Sequence, residues 1–256
     1  MVGNRIGPYK FVREIGEDAL GQIFQAKDIS SKKPVTIRAL RREAATSPET
    51  VARLYSEAKT LALLNHPHIA RIFGFIRHNE RLFLVMEFVE GETLQSILKA
   101  KRRLNPAVTL AYFHQIFSAV AFAHKLGVIH GDLNPSNIIV TGFGQIKVLD
   151  FAIAPILGDA AATGARAVTA RYMSPEQARR EPIDERSDIY SLGALLYESL
   201  TGAAPSVCAN ESSTAESTPL PPSLLVRNSP AWLDGFVLRA LAPAPVERFQ
   251  TVSMMS

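Results

Sequence analysis

The stretch His130-Gly131-Asp132-Leu133-Asn134-Pro135-Ser136-Asn137-Ile138-Ile139-Val140, followed after a turn by Ile146-Lys147-Val148-Leu149-Asp150-Phe151, decides how this chain is read. Its two short apolar runs flank Thr141-Gly142-Phe143-Gly144-Gln145, whose glycines supply the positive φ that a tight reversal needs. The segment predicts a β-hairpin. Pairing Val140 with Ile146 sets Asn137 opposite Leu149 and Ser136 opposite Asp150, so Asn137 and Asp150 emerge at one open end. A carboxylate beside a carboxamide, both oxygen donors, suits a hard cation such as Mg²⁺. Asp132 precedes Asn137 on a loop that Pro135 keeps out of helix, and can face the same space. Single Asp and Asn residues in loops usually make turn contacts. Three of them at one hairpin mouth, with apolar strands behind, point instead to a metal–phosphate site.

Outward from this hairpin, the bulk properties limit the classes available. A chain of 256 residues, 47% hydrophobic and 20% charged, buries the core of one two-lobed domain, taken as residues 1–256. The net charge of +4 is mild and its basic residues are scattered. Lys99, Lys101, Arg102 and Arg103, and the pair Arg179 and Arg180, read as solvated helix ends, so no nucleic-acid partner is expected. One cysteine, Cys208, excludes an internal disulfide and favours a reducing compartment. Met1 to Lys10 lacks the apolar core of a signal peptide. The uncharged run from Leu104 to His124 holds Asn105, Pro106, His114, Gln115 and His124, too polar for a lipid span, and is expected to be a buried helix.

Towards the N-terminus, Tyr9 to Ile15 and Gln22 to Lys27 predict a hairpin cornered by Gly16 and Gly21, and Pro34 to Leu40 the next strand. Thr46-Ser47-Pro48-Glu49 is a good helix start, after which Val51, Leu54, Ala58, Leu61 and Leu64 recur at helical spacing. Glu57 falls on the edge of that apolar face, where a carboxylate wants a cation. An exposed pair with Arg53 is the bland alternative. Ile69 to Arg77 and Arg81 to Val85 predict two more strands, and Leu94 to Lys101 and Pro106 to Leu126 two helices.

The pattern H-x-D-x-x-x-x-N, then a strand and D-F, resembles the catalytic loop and metal-binding segment of protein kinases. The resemblance implies that Asp132 is the base accepting the substrate hydroxyl proton, and that Asn137 and Asp150 hold Mg²⁺ on the phosphates of ATP. Asn134 stands where Ser/Thr kinases carry the lysine that steadies the γ-phosphate. Gly16-Glu17-Asp18-Ala19-Leu20-Gly21-Gln22-Ile23 resembles G-x-G-x-x-G-x-V, with Gly16, Gly21 and Ile23 in place. Asp18 replaces the middle glycine, and its carboxylate is expected to repel a triphosphate.

Val35-Thr36-Ile37-Arg38 resembles V-A-I-K, with Thr36 at the adenine-facing alanine and Arg38 at the phosphate-holding lysine. By the same likeness Glu57 is the expected partner of Arg38. Met86-Glu87-Phe88-Val89-Glu90-Gly91 is similar to the kinase hinge: adenine against the carbonyl of Glu87 and the amide of Val89, Met86 behind it, and Ile139 among the nucleotide-binding residues. Thr169 to Glu176 resembles the segment ending in A-P-E. There Thr169 is expected to hydrogen-bond Asp132, Glu176 to pair with Arg248, and Asp188 to brace the site loop. Gly131 replaces the arginine that reads activation-loop phosphate, so phosphorylation of Thr163 or Thr169 is not expected to be required.

The likeness runs from Tyr9 to Phe249 and is greatest to bacterial Ser/Thr protein kinases. It implies an α+β, two-lobed fold: an N-lobe (about 1–87) of antiparallel sheet plus one helix, a hinge at 87–91, and a mainly helical C-lobe (92–256). Ala203 to Pro230, rich in Ser, Thr, Pro and Ala, departs from it, so the substrate-docking helix there is expected to be short or missing. The function implied is ATP- and Mg²⁺-dependent transfer to Ser/Thr of a protein substrate, impaired because Arg38, Asp18 and Asn134 alter positioning and charge. The alternatives are a pseudokinase that binds a nucleotide or a signalling partner and, more distantly, a small-molecule phosphotransferase, which shares H-G-D-x-x-x-x-N but not the segments around Glu176 and Asp188. The expected location is the cytoplasm, either as a free domain or as the cytoplasmic part of a longer membrane-anchored protein.

Overall fold

A computed structural model of the chain describes residues 1–18, 20–42, 48–157, 170–205, 219–227 and 229–256. Thr163, Thr169, Cys208 and the helix start at Thr46 and Ser47 lie outside them.

The N-terminal half is a six-stranded antiparallel sheet in the order β1-β2-β3-β4-β6-β5. Its strands are β1 (Arg5–Ile6), β2 (Tyr9–Glu17), β3 (Gly21–Asp28), β4 (Pro34–Leu40), β5 (Ile72–His78) and β6 (Arg81–Glu87). The central strand β4 is buried along nearly its whole length. Side chains alternate faces along a strand, so Val35, Ile37 and Ala39 join Phe11, Phe24, Phe83 and Val85 in one cluster. Thr36, Arg38 and Leu40 therefore point to the opposite face. Gly21 begins β3 with φ +148°, and a Cβ there would stand 2.0 Å from the Ala39 carbonyl oxygen, so only glycine allows this approach of β3 to β4. One described helix, α1 (Pro48–Ala62), packs on β5 and buries Leu54 and Leu61.

The C-terminal half is mainly helical. It contains α2 (Leu94–Lys101), α3 (Pro106–Lys125), the short α4 (Ile153–Leu157) and α5 (Pro175–Ala178), then α6 (Glu185–Thr201), α7 (Pro222–Leu225) and α8 (Ala231–Ala240). Asn105 caps α3 by accepting from the Ala107 amide, with Pro106 in the first turn. By length and composition α3 is apolar enough to cross a membrane, yet Phe113, Ile116, Phe117, Val120 and Ala123 are buried in the main core. Helix α6 is buried over almost its whole length, starts at an Asp184 cap and stops at left-handed Gly202.

The hairpin is β8 (Ile138–Val140) with β9 (Ile146–Val148), paired Val140 with Ile146 as expected, and β7 (Glu92–Thr93) adds a third strand. The expected strand from Ile69 starts only at Ile72. Ile69 instead bridges Val148 in parallel: the Ala70 amide donates to the Val148 carbonyl and the Val148 amide to that of His68, both at 2.9 Å. That ladder ties the hairpin to the base of the N-terminal sheet.

Candidate functional site

The loop before β8 is set by α6. Asp188, buried in the helix's first turn, accepts from the backbone amides of His130 (2.8 Å) and Gly131 (2.9 Å) and from His124 Nε2 (2.7 Å). The buried His130 ring donates from Nε2 to the Leu149 carbonyl at 2.8 Å and accepts the Asp132 amide at Nδ1. Burial lowers its pKa, in keeping with that neutral tautomer. Gly131 has φ +72°, and a Cβ there would meet Pro155 Cγ of α4 at 2.4 Å. Gln177 Nε2 donates to its carbonyl at 2.8 Å, so α5 also holds the loop.

Asp132 is half-buried. Asn137 Nδ2 donates both to its carbonyl (2.9 Å) and to its Oδ2 (3.2 Å). Burial pushes its carboxyl up to about 7, against the hydrogen bonds from Asn134 and Asn137 and helped by the negative charges of Asp150 and Asp18. Asn134 is committed to loop structure: Nδ2 donates to the Asp132 carbonyl at 3.0 Å, and Oδ1 accepts from the Ser136 amide and hydroxyl. It caps the turn that carries Asn137 and supplies no cation.

Asp150 sits at φ +61°, the left-handed region that a non-glycine residue rarely adopts. Its Oδ1 accepts from Arg38 Nη1 at 2.6 Å, whereas its buried Oδ2 has no hydrogen-bond partner among the described residues. Arg38 Nη2 in turn meets Asp18 Oδ2 at 2.7 Å. Asp18 Oδ1 accepts from the amides of Leu20 (2.8 Å) and Gly21 (3.0 Å), folding the β2–β3 tip back on itself. Burial alone would lower the pKa of Arg38, but the two carboxylates outweigh it and raise the value.

These positions correct two expectations. Arg38 is paired with Asp18 and Asp150, not with Glu57, which is exposed on α1. Short helix α4 packs against α1 just after Ala152, another left-handed residue at φ +57°. Asp18, expected only to repel, is the second anchor of the arginine.

Of the remaining nucleotide-site candidates, Thr36, Met86 and Ile23 lie on the six-stranded sheet and Ile139 on β8 of the smaller one. Thr36 and Met86 are register partners on β4 and β6 and both are buried. Ile23 pairs across with Arg38 on one side and with Gly16 on the other. Val89 and Ile139 are half-buried. The Glu87 carboxylate accepts from the Arg71 amide (3.1 Å) and from Lys147 (2.9 Å), so Lys147 fixes the strand end that leads into the connection between the halves. Motif reading missed Lys147 and Gln177, since neither belongs to a pattern.

A hard cation fits the donor set. The Oδ2 of Asp150 is a buried carboxylate oxygen with no hydrogen-bond partner among the described residues, Asn137 is tied by its carbonyl to the amide of the preceding Leu149, and the charges of Asp18 and Asp132 act on the same space. Among the described residues no group of three His, Cys, Asp or Glu side chains is placed to hold a metal ion, so a cation here would also need phosphate oxygens as ligands.

Farther down, Glu176 and Arg248 form a buried bidentate pair, Nη1 to Oε1 at 2.7 Å and Nη2 to Oε2 at 2.9 Å. Arg248 also donates to the carbonyls of Ala242, Pro243 and Arg186, and Ser187 donates to Glu176.

A sequence model of the protein kinase domain matches residues 9–228. The chain belongs to the protein kinase family. This kinase domain is 35% identical to a probable serine/threonine-protein kinase of Streptomyces coelicolor over 97% of the chain and 39% of that protein. It is 34% identical to the serine/threonine-protein kinase PrkC of Bacillus subtilis over 100% of the chain and 40% of that protein. The chain thus spans about 40% of the length of the curated relatives it matches. Its fold matches a crystal structure of the Mycobacterium tuberculosis PknI kinase domain with TM-score 0.82 and 26% identity, covering 99% of this chain and 95% of that one.

Proposed function

We propose that this kinase domain binds ATP between its two lobes and that phosphoryl transfer to Ser/Thr hydroxyls of a protein substrate is weak or absent. The observation that supports impairment is Arg38, both of whose Nη groups are held by carboxylates of the chain itself. In the family this position supplies the cation that holds the α- and β-phosphates, and catalysis consists of positioning and charge stabilisation. An arginine fork engaged at both ends presents its charge differently from a lysine ammonium, and small misplacements cost orders of magnitude in rate.

The remaining roles follow. Asp132 accepts the hydroxyl proton, and a pKa of about 7 matches a base working near neutrality. Asn134 shapes the loop around that carboxylate. Gly16, Gly21 and Ile23 form the loop over the phosphates; Thr36, Met86 and Ile139 contact the base; Glu87 and Val89 offer it backbone groups. Asn137 and Asp150 would hold Mg²⁺, which when bound neutralises phosphate charge. A pseudokinase, binding nucleotide or a partner without transfer, is the second reading, and the same engaged arginine favours it. The compartment we assign is the cytoplasm, since the sequence has a single cysteine.

The test is a thermal shift with ATP, with and without Mg²⁺, beside a turnover assay. Binding without turnover, and turnover gained in Arg38→Lys, is the expected pattern. Strong wild-type turnover that Asp132→Asn abolishes would show a competent kinase and end the impairment reading.

A further inference from the structure

We propose that Asp18 is an internal occupant of the phosphate subsite, so that a nucleotide's phosphates bind only by displacing its carboxylate. The inference rests on the cleft being a nucleotide site, but it assigns Asp18 a role that the family pattern does not contain.

Three observations carry it. First, Asp18 uses both of its oxygens on groups suited to a phosphate. Oδ2 takes the Arg38 guanidinium at 2.7 Å, and Oδ1 takes the backbone amides of Leu20 and Gly21. Backbone amides clustered at a glycine-cornered turn are anion donors in general, and here a side chain of the same turn satisfies them. Second, both ends of the Arg38 guanidinium are engaged, Nη1 by Asp150 and Nη2 by Asp18, and Nε is buried with no hydrogen-bond partner among the described residues. Arg38 is itself buried, so a phosphate that approaches the guanidinium from solvent meets the more exposed carboxylate, that of Asp18, on Nη2.

Third, the two carboxylates are not equally displaceable. The Asp150 side chain is 3% exposed and that of Asp18 is 33% exposed. Separating Asp150 from Arg38 would strand a charge in the interior, whereas Asp18 regains water when it leaves. Gly21 stays fixed against Ala39, so β3 keeps its place when the Asp18 carboxylate leaves. Ligands are therefore sorted by phosphate. Adenosine enters without disturbing Asp18, and ATP must compete with it.

The experiment is isothermal calorimetry of the chain with adenosine and with ATP, each with and without Mg²⁺, on wild type, Asp18→Asn and Asp18→Gly. Asparagine keeps the Oδ1 acceptor for the Leu20 and Gly21 amides and removes only the charge facing Arg38. Glycine frees the amides as well. ATP affinity is expected to rise about tenfold or more in Asp18→Asn, and further in Asp18→Gly, because a charged hydrogen bond need no longer be broken. Adenosine affinity is expected to stay within about twofold. Equal or weaker ATP binding in both variants, with adenosine still bound, refutes the role of Asp18 and leaves the nucleotide site standing. Absence of binding by either ligand in all three proteins removes the nucleotide reading and this one together. Amide hydrogen exchange checks the loop separately: Leu20 and Gly21 are expected to lose protection in Asp18→Gly.

Discussion

Asp132 owes its place to local sequence. Its spacing from Asn137, and the register that brings Asp150 to the same end of the hairpin, are local facts that the chain order already contains. The engagement of Arg38 is not local. The arginine on β4 and the aspartate on the β2–β3 tip are each visible as departures from a family pattern. Their partnership depends on the turn folding over the sheet, which no spacing rule encodes. Asn134 was legible as a missing lysine but not as a cap. For Asp132 itself, burial raises the folded-state pKa from 3.8 to about 7, so the folded protein binds this proton more tightly than the unfolded chain does. The group therefore destabilises the fold progressively as pH rises from about 4 to about 7, and stability falls with pH wherever the native state binds more protons. Asp132→Asn is expected to flatten that decline. Urea midpoints for both proteins at several pH values read the difference, and parallel curves would refute the burial of this carboxylate.

Elements whose stability is local were read well from sequence, and elements placed by their neighbours were not. The β4 strand, helices α2 and α3 and the β8–β9 register follow from alternation, caps and turn chemistry. The start of β5 was missed because Ile69 is taken by the parallel bridge to Val148, a contact 79 positions away along the chain. Helix α1 is the instructive case. Its apolar spacing places Glu57 on the edge of the buried face, yet only Leu54 and Leu61 are buried and Glu57 faces solvent. Periodicity gives a helix its apolar stripe but not its rotation against the sheet, and α4 packing against α1 is part of what sets that rotation here. Glu57→Ala is accordingly expected to change stability by less than about 0.5 kcal/mol, as at most exposed sites. Leu61→Ala, which opens a cavity, is expected to cost roughly 2–4 kcal/mol. Chemical denaturation measures both. A loss above about 1 kcal/mol for Glu57→Ala, removed when Arg38 is also replaced, would restore the Arg38–Glu57 pair rejected here.

Across the whole molecule the site is held in place by buried charges that tie distant parts of the chain together. Asp188 carries the loop amides on α6, and Glu176 connects α5 to Arg248 near the other end of the chain. The pattern of this lower half was readable because each of these residues lies in a recognisable segment, although burial of Arg248 by three carbonyls and Glu176 was not. Burial would raise the pKa of Glu176, but the hydrogen bonds from Arg248 and Ser187 outweigh it and bring the value down to about 2. Because the folded value is depressed from 4.5, the stabilisation is complete above about pH 4.5 and is lost as pH falls towards 2. Removing one partner of a buried pair leaves an uncompensated charge, so Arg248→Met is expected to cost roughly 3–5 kcal/mol at neutral pH. The double variant Arg248→Met with Glu176→Gln is expected to recover a large part of that loss, since it buries no bare carboxylate. Between pH 4.5 and 2 the wild type is expected to lose stability more steeply than the double variant. Denaturant curves of the three proteins decide it. A double variant no more stable than Arg248→Met alone would mean that Arg248 matters through its hydrogen bonds to Ala242, Pro243 and Arg186, and that its charge holds nothing together.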